Sequence, residues 1–308
     1  MMKSDLSLLN HPLIAVDQVQ KKPQSVHIRD QLKTIYKFQG KFLMAAGRCP
    51  HRGMLLSHAK ACEKGHLVCP YHGKKSLPEK ELFEKFGFLW QREPSDFFKE
   101  VPSDFLFCGH KSVVLNAPFH VVLDNFNEGS HTPFVHRFLG PDIADVPNVS
   151  FHWEPKPDHV LISYKSLQKK NILFYGLKRN RDIYWDIHWK TYTDPLYMQY
   201  YSEWTDSRTQ EKIIEKNMTF FFLVPKPNQQ TEIMSFVFVK PLSWMKHFSF
   251  LVKKISLIMT TNQILEDQRF YKKINDLPKS LDGLKLDQFD QPLLEIRRRA
   301  NHYFDYLE

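Results

Sequence analysis

Two short segments, CPHRG at residues 49–53 and CPYHG at residues 69–73, decide how this chain of 308 residues is interpreted. Each segment pairs one cysteine with one histidine: Cys49 with His51, and Cys69 with His72. Thiolate and imidazole are both ligands for transition metals, and the glycine that ends each segment lets the backbone turn tightly around a bound group. Together the segments predict one metal centre with two sulfur and two nitrogen ligands.

The spacing within the pairs discriminates between two kinds of centre. Structural zinc sites usually group two cysteines, or two histidines, a few residues apart, and a cysteine and a histidine separated by a single residue do not fit that pattern. A Rieske [2Fe–2S] cluster has two cysteines on one iron and two histidines on the other, which two mixed loops can supply. We therefore interpret the pairs as cluster ligands, with zinc as the alternative. The other cysteines, Cys62 and Cys108, are interpreted as inert thiols.

Composition limits the classes of function. Hydrophobic residues make up 42% and charged residues 25%, as in an ordinary soluble globular protein. The 11 glycines form neither GxGxxG nor GxxxxGKS/T, so electrons for redox chemistry are expected from another protein. The net charge of +9 suits an acidic partner such as a ferredoxin or a flavin reductase, or else a solvated basic surface. The basic residues form no nucleic-acid reader motif, so we expect no nucleic acid.

No segment predicts a membrane anchor. The stretch 1–18 lacks the long apolar core and the small-residue cleavage site of a signal peptide. The most apolar stretch, 244–259, is interrupted by lysines and is too short to span a bilayer. Without a signal peptide, the four cysteines are not expected to form disulfides. We expect a cytoplasmic protein that does not bind membranes.

Hydrophobic periodicity predicts two domains, which we place at 1–95 and 96–308. A proline-containing, charged passage at 91–103 separates them. The first domain has β-like runs at 42–46, 66–69 and 86–90. The second has a helical patch at 121–138, a strand at 182–190, a hairpin of 213–224 with 231–240, and helices at about 244–274 and 291–306. Strands flanked by helices predict an α+β fold built on an antiparallel sheet.

A second candidate centre lies in DNFNEGSHTPFVH at residues 124–136. His131 and His136 would be about 140° apart on a regular helix, but Pro133 between them breaks the helix and lets the next turn bring the rings together. Glu128 precedes His131 by one helical turn, within reach as an acceptor for its free ring N–H. The segment therefore predicts two imidazoles in adjacent positions on one metal ion.

The third ligand of such a centre would be a carboxylate, because two histidines and one carboxylate with open positions form the facial triad of non-haem Fe(II) oxygenases. Asp267 is the candidate. Ile264 and Tyr271 bracket it at helical spacing, so it faces apolar side chains, where an acid needs a metal or another partner. The alternative is an exposed helix acid beside Glu266.

With both motifs in this order, the chain resembles the Rieske non-haem iron oxygenases. The resemblance rests on the two cluster segments, on FDQPLLEIRRR at 289–299, and on four residues at the family's catalytic-iron spacing: Asn125, Glu128, His131 and His136. Size and organisation are similar to vanillate and dicamba O-demethylases. The resemblance implies an N-terminal Rieske domain of antiparallel strands and a C-terminal helix-grip domain with a curved antiparallel sheet. It also implies Asp267 as the third iron ligand.

The function implied by the resemblance is that of an oxygenase component. It would hydroxylate, or O- or N-demethylate, a small organic substrate with O2 at a mononuclear Fe(II). A monooxygenase is preferred over a ring-dihydroxylating enzyme, which no feature of the sequence excludes. Electrons would come through the [2Fe–2S] cluster from a separate NAD(P)H-dependent reductase or ferredoxin. In a head-to-tail homotrimer the cluster of one subunit would serve the iron of the next. Glu128 would link the two centres, with Asn125 beside it in the catalytic motif.

Two other classes of function stay open on the residues alone. The chain could be a Rieske electron-transfer or redox-sensing protein without oxygenase activity, or a zinc-binding scaffold. Two positions also depart from the family pattern: Glu128 stands where Asp is usual, and Lys74 follows the second cluster segment where Trp is usual. The substrate is not identified, although aromatic residues of the sheet are candidates for its pocket: Trp185, Trp189, Phe220 and Phe222.

Overall fold

A computed structural model describes residues 11–28, 31–170, 182–241, 247–274 and 278–304 of the chain. The chain divides into two compact units, Met1–Glu100 and Val101–Glu308. The division falls inside the passage 91–103, five residues after the boundary that the sequence places between residues 95 and 96.

The first unit is built from short antiparallel strands in three small sheets. Its strands are β1 (Pro12–Ala15), β2 (Gln24–Ile28), β3 (Gln31–Phe38), β4 (Lys41–Ala46), β5 (Lys60–Ala61), β6 (Leu67–Val68), β7 (Lys75–Ser76), β8 (Pro78–Glu81), β9 (Phe83–Lys85) and β10 (Phe88–Trp90). A short helix, α1 (Val16–Val19), and helical turns at Leu56–His58 and Ser95–Phe98 accompany them. The sheets have the orders β1-β10-β9, β2-β3-β4-β8 and β5-β6-β7. The three strands expected from the sequence correspond to β4, β6 and β10.

The turn between β9 and β10 explains why β10 begins later than expected. Lys85 pairs with Phe88, so Phe86 and Gly87 form a two-residue hairpin loop, and their φ values are +52° and +78°. Two successive positive φ values are typical of a type I′ turn, and glycine at the second position favours it. The chain therefore becomes extended at Phe88 rather than at Phe86.

Two apolar clusters stabilise the first unit. One lies between β1, α1, β3, β4 and β10. In the other, Tyr36, Leu56 and Leu67 pack with Cys49 and Cys69. The second cluster therefore buries the two candidate sulfur ligands in the interior of the unit.

The second unit is a seven-stranded antiparallel sheet, in the order β11-β17-β16-β15-β14-β13-β12, with helices packed against it. Its strands are β11 (Leu106–Leu115), β12 (Ser150–Pro155), β13 (His159–Leu167), β14 (Ile183–Thr193), β15 (Leu196–Asp206), β16 (Lys212–Lys226) and β17 (Gln230–Val239). Its helices are α2 (Phe119–Asn125), α3 (Thr132–Val135), α4 (Ser249–Tyr271), α5 (Gln291–Arg299) and α6 (Asn301–Phe304), with a helical turn at Ile143–Asn148. The α+β class and the antiparallel sheet are confirmed.

The helices differ from the predicted ones in their bounds. The helical patch predicted at 121–138 is interrupted between α2 and α3, where Gly129 lies so close to the ring of Tyr164 that a Cβ there would be 2.8 Å from Cδ2. Helix α4 lies within the predicted 244–274, of which 244–246 fall outside the described residues. Two helices, α5 and α6, take the place of the single helix predicted at 291–306. Residues 305 and 306 of that prediction lie outside the described residues. None of the described helices is both long and apolar enough to cross a bilayer.

Side chains alternate between the two faces of the long strands, as the period of a strand requires. We call the face that packs against α2 and α4 the inner face, and Trp185 and Trp189 of β14 are buried on it. On β16 it is Phe221 that lies on the inner face, with its ring centroid 5.0 Å from that of Phe126. The neighbouring residues Phe220 and Phe222 therefore point away from the inner face, and their prediction as pocket residues was wrong.

Candidate metal centres

The first candidate centre lies on two loops of the same construction. In one loop the N–H of Cys49 donates to the carbonyl of Met54 and the N–H of Gly53 donates back to the carbonyl of Cys49. In the other, Cys69 and Gly73 repeat both bonds, with Lys74 in the place of Met54. The φ values of Gly53 and Gly73 are +72° and +67°, which glycine adopts without strain. The repeated sequence CPxxG thus closes two equivalent turns.

These loops bring the four predicted ligands together. The rings of His51 and His72 are exposed, and their centroids are 4.7 Å apart. The two cysteines are buried beneath them, and the thiol of Cys49 is a hydrogen-bond partner of Cys69. The pKa of the Cys69 thiol is lowered, first because the backbone N–H of Tyr71 donates to its sulfur. Buried sulfur ligands with backbone donors and exposed imidazoles fit a Rieske [2Fe–2S] cluster.

The second candidate centre is built by the single turn of α3. His131 precedes this turn, and His136 follows it with extended backbone (φ −87°, ψ 124°), so the chain leaves the helix there. Pro133 occupies the first turn of α3, where its missing N–H costs nothing. The two rings meet with centroids 5.2 Å apart and with their Nε2 atoms 3.3 Å apart.

Asp267 of α4 completes this centre. Its Oδ1 lies 3.7 Å from Nε2 of His131 and 3.6 Å from Nε2 of His136, so the three side chains face one point. This oxygen is buried and has no hydrogen-bond partner in the described part of the chain. Burial raises the pKa of Asp267, while the two imidazoles and a hydrogen bond from Asn125 counteract that effect. A buried carboxylate oxygen beside two imidazole nitrogens fits a metal ion, which would supply the missing partner.

Each imidazole is held on its other nitrogen by a glutamate. Nδ1 of His131 bonds to Oε1 of Glu128, whose Oε2 accepts from the hydroxyl of Ser130 at 2.6 Å and from the N–H of His131 at 3.2 Å. Nδ1 of His136 lies 3.2 Å from Oε2 of Glu266. An acceptor on Nδ1 fixes the ring orientation and leaves Nε2 for a metal. Burial alone would raise the pKa of Glu128, but His131 and Ser130 together outweigh burial and lower it.

Several side chains that the sequence analysis did not identify fix the loop between α2 and α3. Lys169 donates to the carbonyls of Pro133 and His136, at 3.1 and 2.7 Å. The hydroxyl of Tyr200 on β15 donates to the carbonyl of Phe126, and that of Thr191 on β14 donates to Asn127. No motif marks these residues, because they come from β14, β15 and the segment after β13, which are remote in sequence. They attach the loop to the inner face of the sheet.

Comparisons with known proteins give a family for the first domain and a fold for the chain. Residues 10–76 match the model of the Rieske [2Fe-2S] domain. The methylxanthine N3-demethylase NdmB of Pseudomonas putida is 24% identical over 165 residues, which are 47% of this chain and 41% of NdmB. The alignment thus spans less than half of that relative.

Among solved structures, dicamba monooxygenase bound to dicamba matches with a TM-score of 0.66 at 14% identity, over 96% of this chain and 97% of that one. An NdmA variant of Pseudomonas putida with caffeine matches with a TM-score of 0.63 at 15% identity, over 95% and 89%. These likenesses concern the fold. The chain thus contains a Rieske [2Fe–2S] domain and has the fold of the Rieske non-haem iron oxygenases, the family that its two motifs resemble.

Proposed function

We propose that this protein is the oxygenase component of a Rieske non-haem iron enzyme that hydroxylates, or O- or N-demethylates, a small organic substrate with O2. The observation that carries the proposal is the second centre: two imidazoles and the unpartnered Oδ1 of Asp267 face one buried point. An electron-transfer or redox-sensing protein needs only the first centre. The second centre therefore favours the oxygenase over that alternative.

The two centres have separate tasks. Cys49 and Cys69 would hold one iron of the cluster and His51 and His72 the other, which supplies transfer of single electrons. His131, His136 and Asp267 would hold Fe(II), whose open positions supply the chemistry with O2. The protein's own contribution is orientation: Glu128 and Glu266 hold the two rings, and Asn125 donates to Asp267.

Demethylation or hydroxylation by a monooxygenase is favoured over ring dihydroxylation. Support comes from what the similar proteins are named for, since NdmB is a methylxanthine N3-demethylase and another is dicamba monooxygenase. In this chemistry one oxygen atom of O2 is inserted into a C–H bond of the substrate, and the other leaves as water with two electrons from the reductase and two protons. On a methyl group attached to nitrogen or oxygen, the hydroxylated product then releases formaldehyde.

The electrons are proposed to come from a separate NAD(P)H-dependent reductase or ferredoxin. The exposed residues beside the imidazole ligands include Arg52, Lys74 and Lys75, which suit an acidic partner.

We also propose a homotrimer. Apolar residues on α4 are exposed by 42–52%, a feature typical of contact surfaces: Leu251, Ile255, Ile258 and Leu265.

Metal analysis combined with a substrate screen tests the function. The purified protein should be brown and contain about three irons per chain, two in the cluster and one at the second centre. With O2 and a surrogate reductase, methoxy- or N-methyl-substituted ring compounds should release formaldehyde. Cys69→Ser should abolish the visible absorption of the cluster. A colourless protein with zinc, or one with two irons per chain and no product, contradicts the proposal.

A further inference from the structure

Besides the hydroxyl of Ser166, three buried hydrogen-bond donors of the second unit, all on aromatic side chains, have no partner in the part of the chain that the structure describes. They are the indole N–H groups of Trp185 and Trp189 on β14 and the hydroxyl of Tyr271 on α4. Their side chains are only 5%, 3% and 1% exposed, so bulk water does not satisfy them. Buried donors are nearly always paired, and an unpaired one calls for a missing ligand or water.

Tyr271 and Trp189 lie near the proposed iron ligands, and Trp185 lies further along the same strand as Trp189. Tyr271 follows Asp267 by one turn of α4, and the charge of Asp267 adds to the effect of burial in raising the pKa of Tyr271. The ring of Trp189 stacks on that of Tyr200 with centroids 5.3 Å apart, and Tyr200 bonds to the carbonyl of Phe126 next to Asn125. Trp185 lies four residues before Trp189 on the same face of β14.

Polar groups of neighbouring aromatic residues on the inner face are satisfied. The indole N–H of Trp204, whose ring stacks with that of Trp185, donates to Oε1 of Gln168 at 3.3 Å. Tyr200 donates to a backbone carbonyl. The unpaired donors therefore belong to one part of the inner face, which includes the area next to the second centre, and not to the whole inner face.

The charges around this area do not favour an anionic ligand. Glu128, Asp267 and Glu266 contribute three carboxylates on the helix side, against the two positive charges of the proposed Fe(II). Two cations near the loop are engaged elsewhere: Lys169 bonds to backbone carbonyls, and Arg297 bonds to Asp124. An indole N–H can donate but not accept, so the sheet side offers donors to a neutral acceptor.

We propose that the substrate of this site is an uncharged, flat ring compound with carbonyl oxygens or ring nitrogens, and that Trp185, Trp189 and Tyr271 bind these acceptors. The proposal rests on the oxygenase function proposed above and specifies its substrate class. The aromatic side chains of the inner face would contact the flat ring, while the three donors determine which rings are accepted. A compound without acceptors would leave buried donors unpaired and so bind more weakly.

Binding of three ligands with one common ring tests the proposal. The probes are 4-methoxyacetophenone (neutral, with a carbonyl), 4-methoxybenzoate (anionic) and 4-ethylanisole (without a carbonyl). Isothermal titration calorimetry on the full-length protein with its metal centres, without reductant, should give an affinity for the ketone about tenfold above that for either other probe. Equal affinities, or tightest binding of the benzoate, overturn the proposal on the unmodified protein alone.

Single substitutions then locate the donors. Trp185→Phe, Trp189→Phe and Tyr271→Phe keep a ring but remove the donor, so each should reduce the preference for the ketone and leave binding of 4-ethylanisole nearly unchanged. Trp153→Phe is the matched control, because its indole N–H already donates to Gln291. A preference that survives all three substitutions overturns the assignment.

Failure of the oxygenase function gives a different result. Selective binding of the ketone without any product under turnover conditions counts against the oxygenase and not against the acceptor preference. Product from 4-methoxybenzoate in preference to the ketone counts against the substrate class while supporting the oxygenase.

Discussion

Two adjacent acids on α4, Glu266 and Asp267, face different atoms of the same histidine. Oδ1 of Asp267 is 3.6 Å from Nε2 of His136, and Oε2 of Glu266 is 3.2 Å from its Nδ1. Neighbouring residues of a helix point about 100° apart, so only one of them can face the point shared by both Nε2 atoms. Ile264 and Tyr271 are buried on the same side of α4 as Asp267, so Asp267 is the acid that faces this point. The helical spacing in the sequence predicted that Asp267 lies among these apolar side chains.

Replacing each acid should therefore affect iron differently. Asp267→Ala is expected to lose the mononuclear iron, leave the cluster reducible and abolish oxygenation. Glu266→Ala should keep the iron but weaken its binding about 10–100-fold, because His136 loses the acceptor that orients it, and Glu266→Gln should restore part of the affinity. Iron retention against a chelator measures both effects, with exposed Glu63→Ala as the control. If Glu266→Ala lost the iron while Asp267→Ala only weakened its binding, Glu266 would be the ligand and Asp267 the residue that orients His136.

At the scale of elements, a salt bridge joins α5 to the helix that leads into the second centre. Nε of Arg297 donates to Oδ1 of Asp124 at 2.8 Å, its Nη2 donates to Oδ2, and Nη1 donates to the carbonyl of Lys279. Burial raises the pKa of Asp124, and Arg297 counteracts that effect. The pair thus gives the buried carboxylate at the end of α2 a counter-ion.

Breaking this pair should destabilise the second unit. Arg297→Met leaves the carboxylate of Asp124 buried without its cation, which costs about 3–5 kcal/mol in such cases. Arg298→Met on the same helix is the control, because the side chain of Arg298 is 69% exposed. Denaturant unfolding measures both, and the double variant Asp124→Asn/Arg297→Met should recover part of the loss. Equal, small effects of the two single variants would show that the bridge contributes little.

A second ion pair on α5 gives a pH dependence. Hydrogen bonds from Arg298, and then from Arg299, lower the pKa of Glu295 to about 2 from an ordinary value of 4.5. Because the folded-state pKa is lowered, the stabilisation is fully present above the ordinary value and is lost as the pH falls from 4.5 through about 2. The difference in Tm between the protein and Glu295→Gln should shrink over that range. A difference that does not change with pH contradicts this account.

The elements also show where sequence reasoning ends. The alternation of apolar and polar residues in 182–190 and the hairpin pattern at 213–240 predicted β14, β16 and β17. Such patterns are visible in the sequence because a strand with one buried face needs apolar residues at every second position. The loop after α2 instead brings Gly129 against the ring of Tyr164 on β13, a contact that no local pattern reveals. Lys169 and Glu266 were missed as supports of His136 for the same reason: their partners are defined only by the fold.

For the whole molecule, the likeness to dicamba monooxygenase covers nearly the entire chain, although identity is 14%. The motifs for both centres could be identified at this divergence because metal ligands allow few substitutions. Glu128 departs from the family pattern, because its side chain is one methylene longer than the aspartate that is usual at this position. Its Oε2 accepts hydrogen bonds from the hydroxyl of Ser130 and from the backbone N–H of His131. Its Oε1 is the hydrogen-bond partner of Nδ1 of His131. A carboxylate oxygen has a second lone pair, so Oε1 can still accept from a neighbouring subunit.

The proposed homotrimer leads to a prediction about activity in mixtures. His72→Ala should remove the cluster and His131→Ala the iron, so each variant alone is inactive. If the cluster of one subunit serves the iron of the next, co-assembly should restore activity, because some interfaces pair an intact cluster with an intact iron. Transfer within a single chain predicts none, since no chain has both centres. Unmixed variants measured side by side are the control, and a protein that is fully active as a monomer would exclude the trimer mechanism.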